Sequence, residues 1–214
     1  MNNSQTDTQQ KILDAAIDVF AEKGYHDTRV DEIVDVSKTS KGAVYFYFPS
    51  KQDIFLAIVD KFATLLEDRL KPAISQEAHG VERVSLALQI CLRTFEQYRS
   101  LAKVFLVQAA GLGVVFEDKQ IEIHNRFARL IRQQLDDAVA EGDIPPIDTE
   151  VAAYVWMGAI YDMVIRWVRT GQPEPSRIFP TLQVMLLRSI GVSEERILAL
   201  QSNGTQRVGS AKRV

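Results

Sequence analysis

Apolar positions recur every three or four residues along most of the chain. In QQKILDAAIDVFAEKGY, Ile12, Ala15, Ala16, Val19 and Phe20 fall at i, i+3, i+4, i+7 and i+8, one apolar stripe of a helix. Gly24 stands where the left-handed residue after a helix belongs. A second, short helix is predicted over RVDEIVDV, with Thr28 as its N-cap and Val30, Ile33 and Val34 as its buried face. Ser37, Lys38 and Thr39 form a turn. Ser40 caps a third helix from Lys41 to about Phe48, and Pro49–Ser50 ends it. A fourth helix is predicted from Lys51 to about Leu70, stopping near Pro72.

Beyond that point helical spacing returns over about 81–98, 101–110, 117–141, 149–170 and 176–190. The breaks are GLG (111–113), EGDIPPID (141–148) and TGQPEP (170–175). No strand alternation persists. The expected fold is all-α with about nine helices. Residues 1–50 make a three-helix unit, 51–200 a helical body whose residues 51–70 connect the two, and 201–214 a polar tail expected to be disordered.

Two short helices joined by a tight turn and packed on a longer first helix make a helix-turn-helix. In such units the second helix enters the major groove of DNA with its N-terminal residues toward the base edges. Here that end carries Thr39, Ser40, Lys41, Gly42 and Ala43, all small, polar or cationic. A glycine inside a helix costs about 1 kcal/mol against alanine, so Gly42 needs a reason, and close approach to a groove supplies one. Tyr45, Phe46, Tyr47 and Phe48 spread round the helix at 100° per residue, so some of these rings face outward. Tyr45 and Tyr47 reach far and end in hydroxyls suited to phosphate; Lys41 suits phosphate or guanine acceptors. Thr28, Arg29, Lys38 and Lys51 complete the candidate DNA-binding set, with Lys51 placed where a helix start favours an anion. The pattern alone also admits a purely structural three-helix unit.

Charge complicates the DNA reading. The net charge is −3, and the first 51 residues hold six Lys/Arg against eight Asp/Glu. Phosphate binding must therefore rest on local placement. At 46% hydrophobic and 25% charged, the composition is that of a soluble globular protein. No apolar run reaches the roughly 18 residues of a membrane span, and the polar N-terminus lacks an apolar signal segment. A cytoplasmic protein without membrane partners is expected. The one cysteine, Cys91, excludes an internal disulfide. The three histidines lack metal-ligand spacing, so no metal or cofactor is expected. Nor is there a nucleophile–base constellation or a phosphate loop, which argues against an enzyme.

The stretch ILDAAIDVFAEKGYHDTRVDEIVDVSKTSKGAVYFYFPSKQDIF resembles the N-terminal DNA-binding domain of TetR-family transcriptional regulators. Ile12, Ala15, Ala16, Phe20, Gly24, Tyr25, Thr28 and Ile33 match the pattern of its first two helices. Ser40, Gly42, Val44, Tyr45, Tyr47 and Phe48 match that of the third helix, and Ser50 and Lys51 the Ser-Lys pair after it. The resemblance covers about 45 residues. It implies a homodimer on a palindromic operator in double-stranded DNA, most often a repressor, with a small-molecule effector bound in the body. There are departures. The turn usually reads Ala-Gly-Val and here reads Ser37-Lys38-Thr39, so either Lys38 adopts a left-handed backbone or the turn differs. Val34 replaces the usual alanine. Asp31 corresponds to a position that contacts DNA in some relatives; its carboxylate repels phosphate but accepts from a cytosine amino group.

In the body, TEVAAYVWMGAIYDMVIRWVRTG is apolar nearly all round. One side suits its own core and the other a two-fold partner. Trp156, Ile160, Val164 and Trp167, with Leu182, Met185 and Leu186 from the next helix, are the expected dimer contacts. Asp162 and Arg166 are i, i+4 neighbours, read either as a local ion pair or dimer-contact pair, or with Asp162 as a polar anchor in a ligand pocket. Cys91, Phe95, Phe105, Gln108, Phe127 and Tyr161 are the other ligand candidates, with Arg126 beside them. His124 is expected to be solvated. Asp162 followed by Trp167–Val168 also resembles fatty-acid regulators of this family that respond to acyl-coenzyme A, so an apolar or acyl effector is expected. A helical interaction protein that has lost DNA binding remains the alternative.

Overall fold

The computed structural model describes residues 3–76, 80–107 and 113–201. Among them the chain is helical with no strand: α1 (Asn3–Lys23), α2 (Val30–Ser37), α3 (Lys41–Tyr47), α4 (Lys51–Gln76), α5 (Gly80–Gln97), α6 (Arg99–Val107), α7 (Val114–Ala140), α8 (Thr149–Thr170), α9 (Pro175–Ser189) and α10 over 194–201. The expected tail lies, from residue 202 on, outside the described residues, as does most of the GLG break.

α4 passes its expected stop and contains Pro72. Proline removes one helical donor, but its fixed φ is itself helical, and at this exposed position the lost bond is tolerated. Pro180 stands inside α9 in the same way. α10 has no counterpart among the elements expected from the sequence.

The chain divides into two compact units, residues 1–66 with 97–121, and 67–96 with 122–214. The first therefore takes in more than the expected 1–50. Its core is Ile12, Ala16 and Phe20 of α1, Ile33 of α2, Val44 of α3, and Ile54, Phe55 and Ile58 of α4, all fully buried. Phe20 stacks on Tyr25, and Phe55 meets both rings edge-on. Gly24 has φ +87°, which only glycine adopts without strain, and its N–H donates to the Phe20 carbonyl at 2.9 Å. α6 packs along α1, with Lys103 Nζ donating to the Ala21 carbonyl at 2.6 Å.

In the second unit α8 packs on α9. The Asp148 carboxylate accepts from the Val151 N–H, and Gly171 closes the other end of α8. α8 buries Ala153, Trp156, Val164, Trp167 and Val168. Its opposite side is open: Val151, Val155, Gly158, Asp162, Arg166 and Arg169 succeed one another at helical spacing, and most of that line is exposed. By length and composition α8 could cross a membrane, a test that a core helix of a soluble protein also passes.

Candidate nucleic-acid interface

The turn before α3 sets the interface. Lys38 adopts φ +53°, ψ +35° and ends α2, the only described non-glycine residue with positive φ. The missing turn glycine is thus replaced by a strained lysine, at about 1–2 kcal/mol for a left-handed residue with a Cβ. Its side chain is exposed. Ser37 Oγ and Thr39 Oγ1 lie 2.7 Å apart across the turn. The Ser40 hydroxyl accepts from the Ala43 N–H at 3.1 Å, the expected cap of α3.

α3 buries Val44, and Phe48 just beyond it is also buried. Ser40, Lys41, Gly42, Tyr45 and Phe46 stand on the outer side, with Phe46 and Tyr45 the open large apolar side chains. Ala43 and Tyr47 are half-buried. A Cβ on Gly42 would meet nothing nearer than Ser40 Oγ at 3.9 Å, so the fold itself does not need a glycine there. Phe46, absent from the expected DNA set, is 75% exposed and edges against Tyr47 at 5.1 Å. The sequence requires some outward ring but does not identify this one.

Asp31 sits among the cations of this face. Its carboxylate takes Lys41 Nζ at 2.7 Å and lies 3.9 Å from the Arg29 guanidinium. The hydrogen bond from Lys41 holds the Asp31 carboxyl below the usual carboxylate range and raises the Lys41 ammonium in return. Arg29 and Lys41 thus flank one carboxylate.

Two of the residues expected to contact DNA hold partners within the chain. Thr28 is 2% exposed, and its hydroxyl donates to the Gly24 carbonyl at 2.6 Å. It closes the loop after α1; Arg29 is the N-cap of α2, and its N–H is taken by Glu32 at 2.9 Å. Lys51 Nζ donates to the carbonyls of Tyr25 (2.7 Å), His26 (3.2 Å) and Thr28 (2.8 Å), and lies 4.5 Å from the centre of the Tyr25 ring. An ammonium has three protons, and all three are engaged. Burial pushes the Lys51 ammonium down. Lys51 clasps the α1–α2 loop and holds no free donor for a phosphate.

In the body the expected ligand residues are divided between the two units. Phe105 belongs to the first unit, against Phe62 at 5.1 Å, whereas Cys91, Phe95, Phe127, Tyr161 and Asp162 belong to the second. Gln108 lies outside the described residues. Phe95 is buried; Phe127 and Tyr161 are half-buried. Cys91 keeps some open surface, yet burial pushes its thiol up to about 12. A thiol held in its protonated form is a poor nucleophile at neutral pH. His124 is not solvated as expected. It is half-buried, 4.9 Å from the Tyr161 ring, and burial lowers its imidazole. Glu67 of α4, 7% exposed, is gripped by Arg126 of α7 through both Nε and Nη2, and by Lys71 at 3.2 Å.

Asp162 makes no ion pair with Arg166. Of the expected dimer contacts, Trp156, Val164, Trp167, Leu182 and Leu186 are buried within their own unit, Ile160 is half-buried, and Met185 is 61% exposed. The open apolar surface of α8 is Val151, Tyr154 and Val155 instead. The helical period is as expected, but which side of α8 meets α9 is a tertiary fact that periodicity does not carry.

Residues 12–58 match the family described as "Bacterial regulatory proteins, tetR family", and residues 77–190 the one described as "Tetracyclin repressor-like, C-terminal domain". The chain is 25% identical over 163 residues to a fatty acid metabolism regulator protein of Bacillus subtilis, covering 76% of this chain and 84% of that one. It is 26% identical over 165 residues to the HTH-type transcriptional regulator SrpR of Pseudomonas putida, covering 77% and 76%. In fold it is similar to the fatty acid degradation regulator FadR from Bacillus halodurans (TM-score 0.80, 20% identity, 87% of this chain and 97% of that one). It is likewise similar to FadR from Bacillus subtilis in complex with stearoyl-CoA (TM-score 0.76, 23% identity, 86% and 99%).

Proposed function

The chain belongs to the tetR family of bacterial regulatory proteins, and from that premise we propose a cytoplasmic repressor, homodimeric on a palindromic operator and released by an apolar or acyl effector. The observation that carries the DNA-binding part is α3. It leaves Gly42 open, though the fold gives that glycine no task, and flanks it with Lys41 and an exposed Tyr45. A backbone with no side chain between a cation and a hydroxyl-tipped ring suits close approach to a base-pair edge with phosphates on either side.

The effector reading is supported by a relative of similar fold, FadR from Bacillus subtilis, whose structure is in complex with stearoyl-CoA. The ligand acts by population shift between two dimer geometries that space the recognition helices differently. α4 is one continuous helix from Lys51, beside the clasp, to Gln76 beyond Glu67, so it offers a covalent route for that shift.

The test is selection of duplexes from a random pool by the purified protein, followed by titration with stearoyl-CoA. The expected result is a pseudo-palindrome with half-sites about one helical turn apart, displaced by the acyl-CoA and not by free coenzyme A. A reporter with that sequence at its promoter should be silenced by the protein and relieved by the effector. Selection that enriches no sequence, with the fold intact, would favour a helical interaction protein that has lost DNA binding.

A further inference from the structure

α3 carries its most exposed ring on the line that faces away from the fold. Val44 is fully buried. Gly42 and Phe46 stand two residues before and after it, each about 200° round the helix. Both therefore lie opposite Val44 and, four residues apart, share one line. Phe46 is 75% exposed, and its ring meets Tyr47 edge-on with centroids 5.1 Å apart. The ring does not fold down over Gly42: the atom nearest to a Cβ there would be Ser40 Oγ, at 3.9 Å. The outer line of α3 thus reads bare backbone, then an open phenyl ring one turn on.

We propose that Phe46 reads thymine: its ring packs on the C5-methyl group of one thymine in each half-site. The inference rests on the DNA-binding reading and adds to it which base the outer line of α3 selects. Where Gly42 lets the helix approach the base edges, the side chain one turn on meets the edge of a neighbouring base. A phenyl ring has no hydrogen-bonding atom, so it serves neither a phosphate nor the polar edge of a base. In the major groove adenine, guanine and cytosine present donors and acceptors, and thymine adds a methyl group. Against that methyl the ring and its partner both leave water, which is favourable. Against a polar edge the ring would strip a donor or acceptor of its water and return nothing, which is costly. The same side chain thus favours thymine and rejects the other bases at that place.

The experiment uses the full chain and the operator selected from the random pool. Each thymine of that duplex is replaced in turn by deoxyuridine, which removes the methyl group and keeps the pairing and the O4 acceptor. Affinity is measured for wild type, Phe46→Ala and Phe46→Leu, with a melting curve for each. The ring lies outside the core, so all three should fold alike. One thymine in each half-site should stand out. Its replacement should weaken wild type about fourfold, the worth of one buried CH₂-sized group, and leave Phe46→Ala unaffected. Phe46→Leu, still apolar, should keep part of the difference. An operator with no such thymine overturns the proposal. So does a Phe46→Ala whose affinity falls while its thymine-to-uracil difference stays as in wild type, which would make the ring a support for Tyr47. A pool that enriches no sequence would sink the DNA-binding reading itself, and this inference with it.

Discussion

Lys41 Nζ and Asp31 Oδ1 lie 2.7 Å apart, so the lysine proposed to meet DNA is tied to a carboxylate on the preceding helix. An exposed pair of this kind adds little to stability. Its consequence lies in recognition. In Asp31→Asn the ammonium is released and a repelling charge removed. Affinity at low salt should rise several-fold, and the slope of log K against log salt should steepen by up to about 1, the equivalent of one added phosphate contact. Binding isotherms at several salt concentrations check this. An unchanged slope would place Lys41 away from phosphate.

Gly42 has open space where its Cβ would be. Gly42→Leu therefore keeps the fold and gains helix propensity of roughly 0.8 kcal/mol. Its melting temperature should be equal or slightly higher, while operator affinity falls at least a hundredfold through the blocked approach. Calorimetry and a gel shift on one preparation separate the two effects.

Lys51 makes the opposite prediction. Its three donors close the loop between α1 and α2. Lys51→Met should cost about 2 kcal/mol, the scale of hydrogen bonds to a charged group, and lower the melting temperature by several degrees. The salt slope of DNA binding by the folded fraction should stay as in wild type. A slope reduced by about 1 would instead restore the phosphate role expected from the sequence.

Glu67 gives a pH dependence. The hydrogen bond from Arg126 holds its carboxyl below the usual value of 4.5. Because the folded pKa is depressed, the pair's contribution is complete above the usual carboxylate value and is lost as pH falls through the lower folded value. At pH 7 Glu67→Gln should be less stable by about 1–3 kcal/mol, discounted for the partly open Arg126. The melting curves of variant and wild type should converge as pH falls below 4.5. A difference that is constant with pH would contradict the pairing.

The helices of the DNA-binding unit are legible in the sequence because their signals are local: the stripe from Ile12 to Phe20, the left-handed glycine at 24, the Ser40 cap. The turn is legible too, since Lys38 has either to go left-handed or to change the turn, and it goes left-handed. What escapes depends on distant partners. Nothing near Lys51 in the sequence announces the carbonyls 23 to 26 residues earlier that engage it. Thr28 reads as a cap until Gly24 is seen to take its hydroxyl. On α8, apolar residues on all sides hide which side faces α9, so the buried Trp156 and Trp167 pass for dimer contacts. His124 has a charged sequence neighbourhood, yet it packs against Tyr161.

The most direct test of the central claim, that α3 reads DNA, is the affinity of wild type and Gly42→Leu for the selected operator and for an unrelated duplex of equal length. Wild type should prefer the operator by about a thousandfold or more, the lower end for specific binders. Gly42→Leu should fold, dimerise and lose that preference. A wild type that holds both duplexes alike, or a variant that keeps the preference, would contradict it.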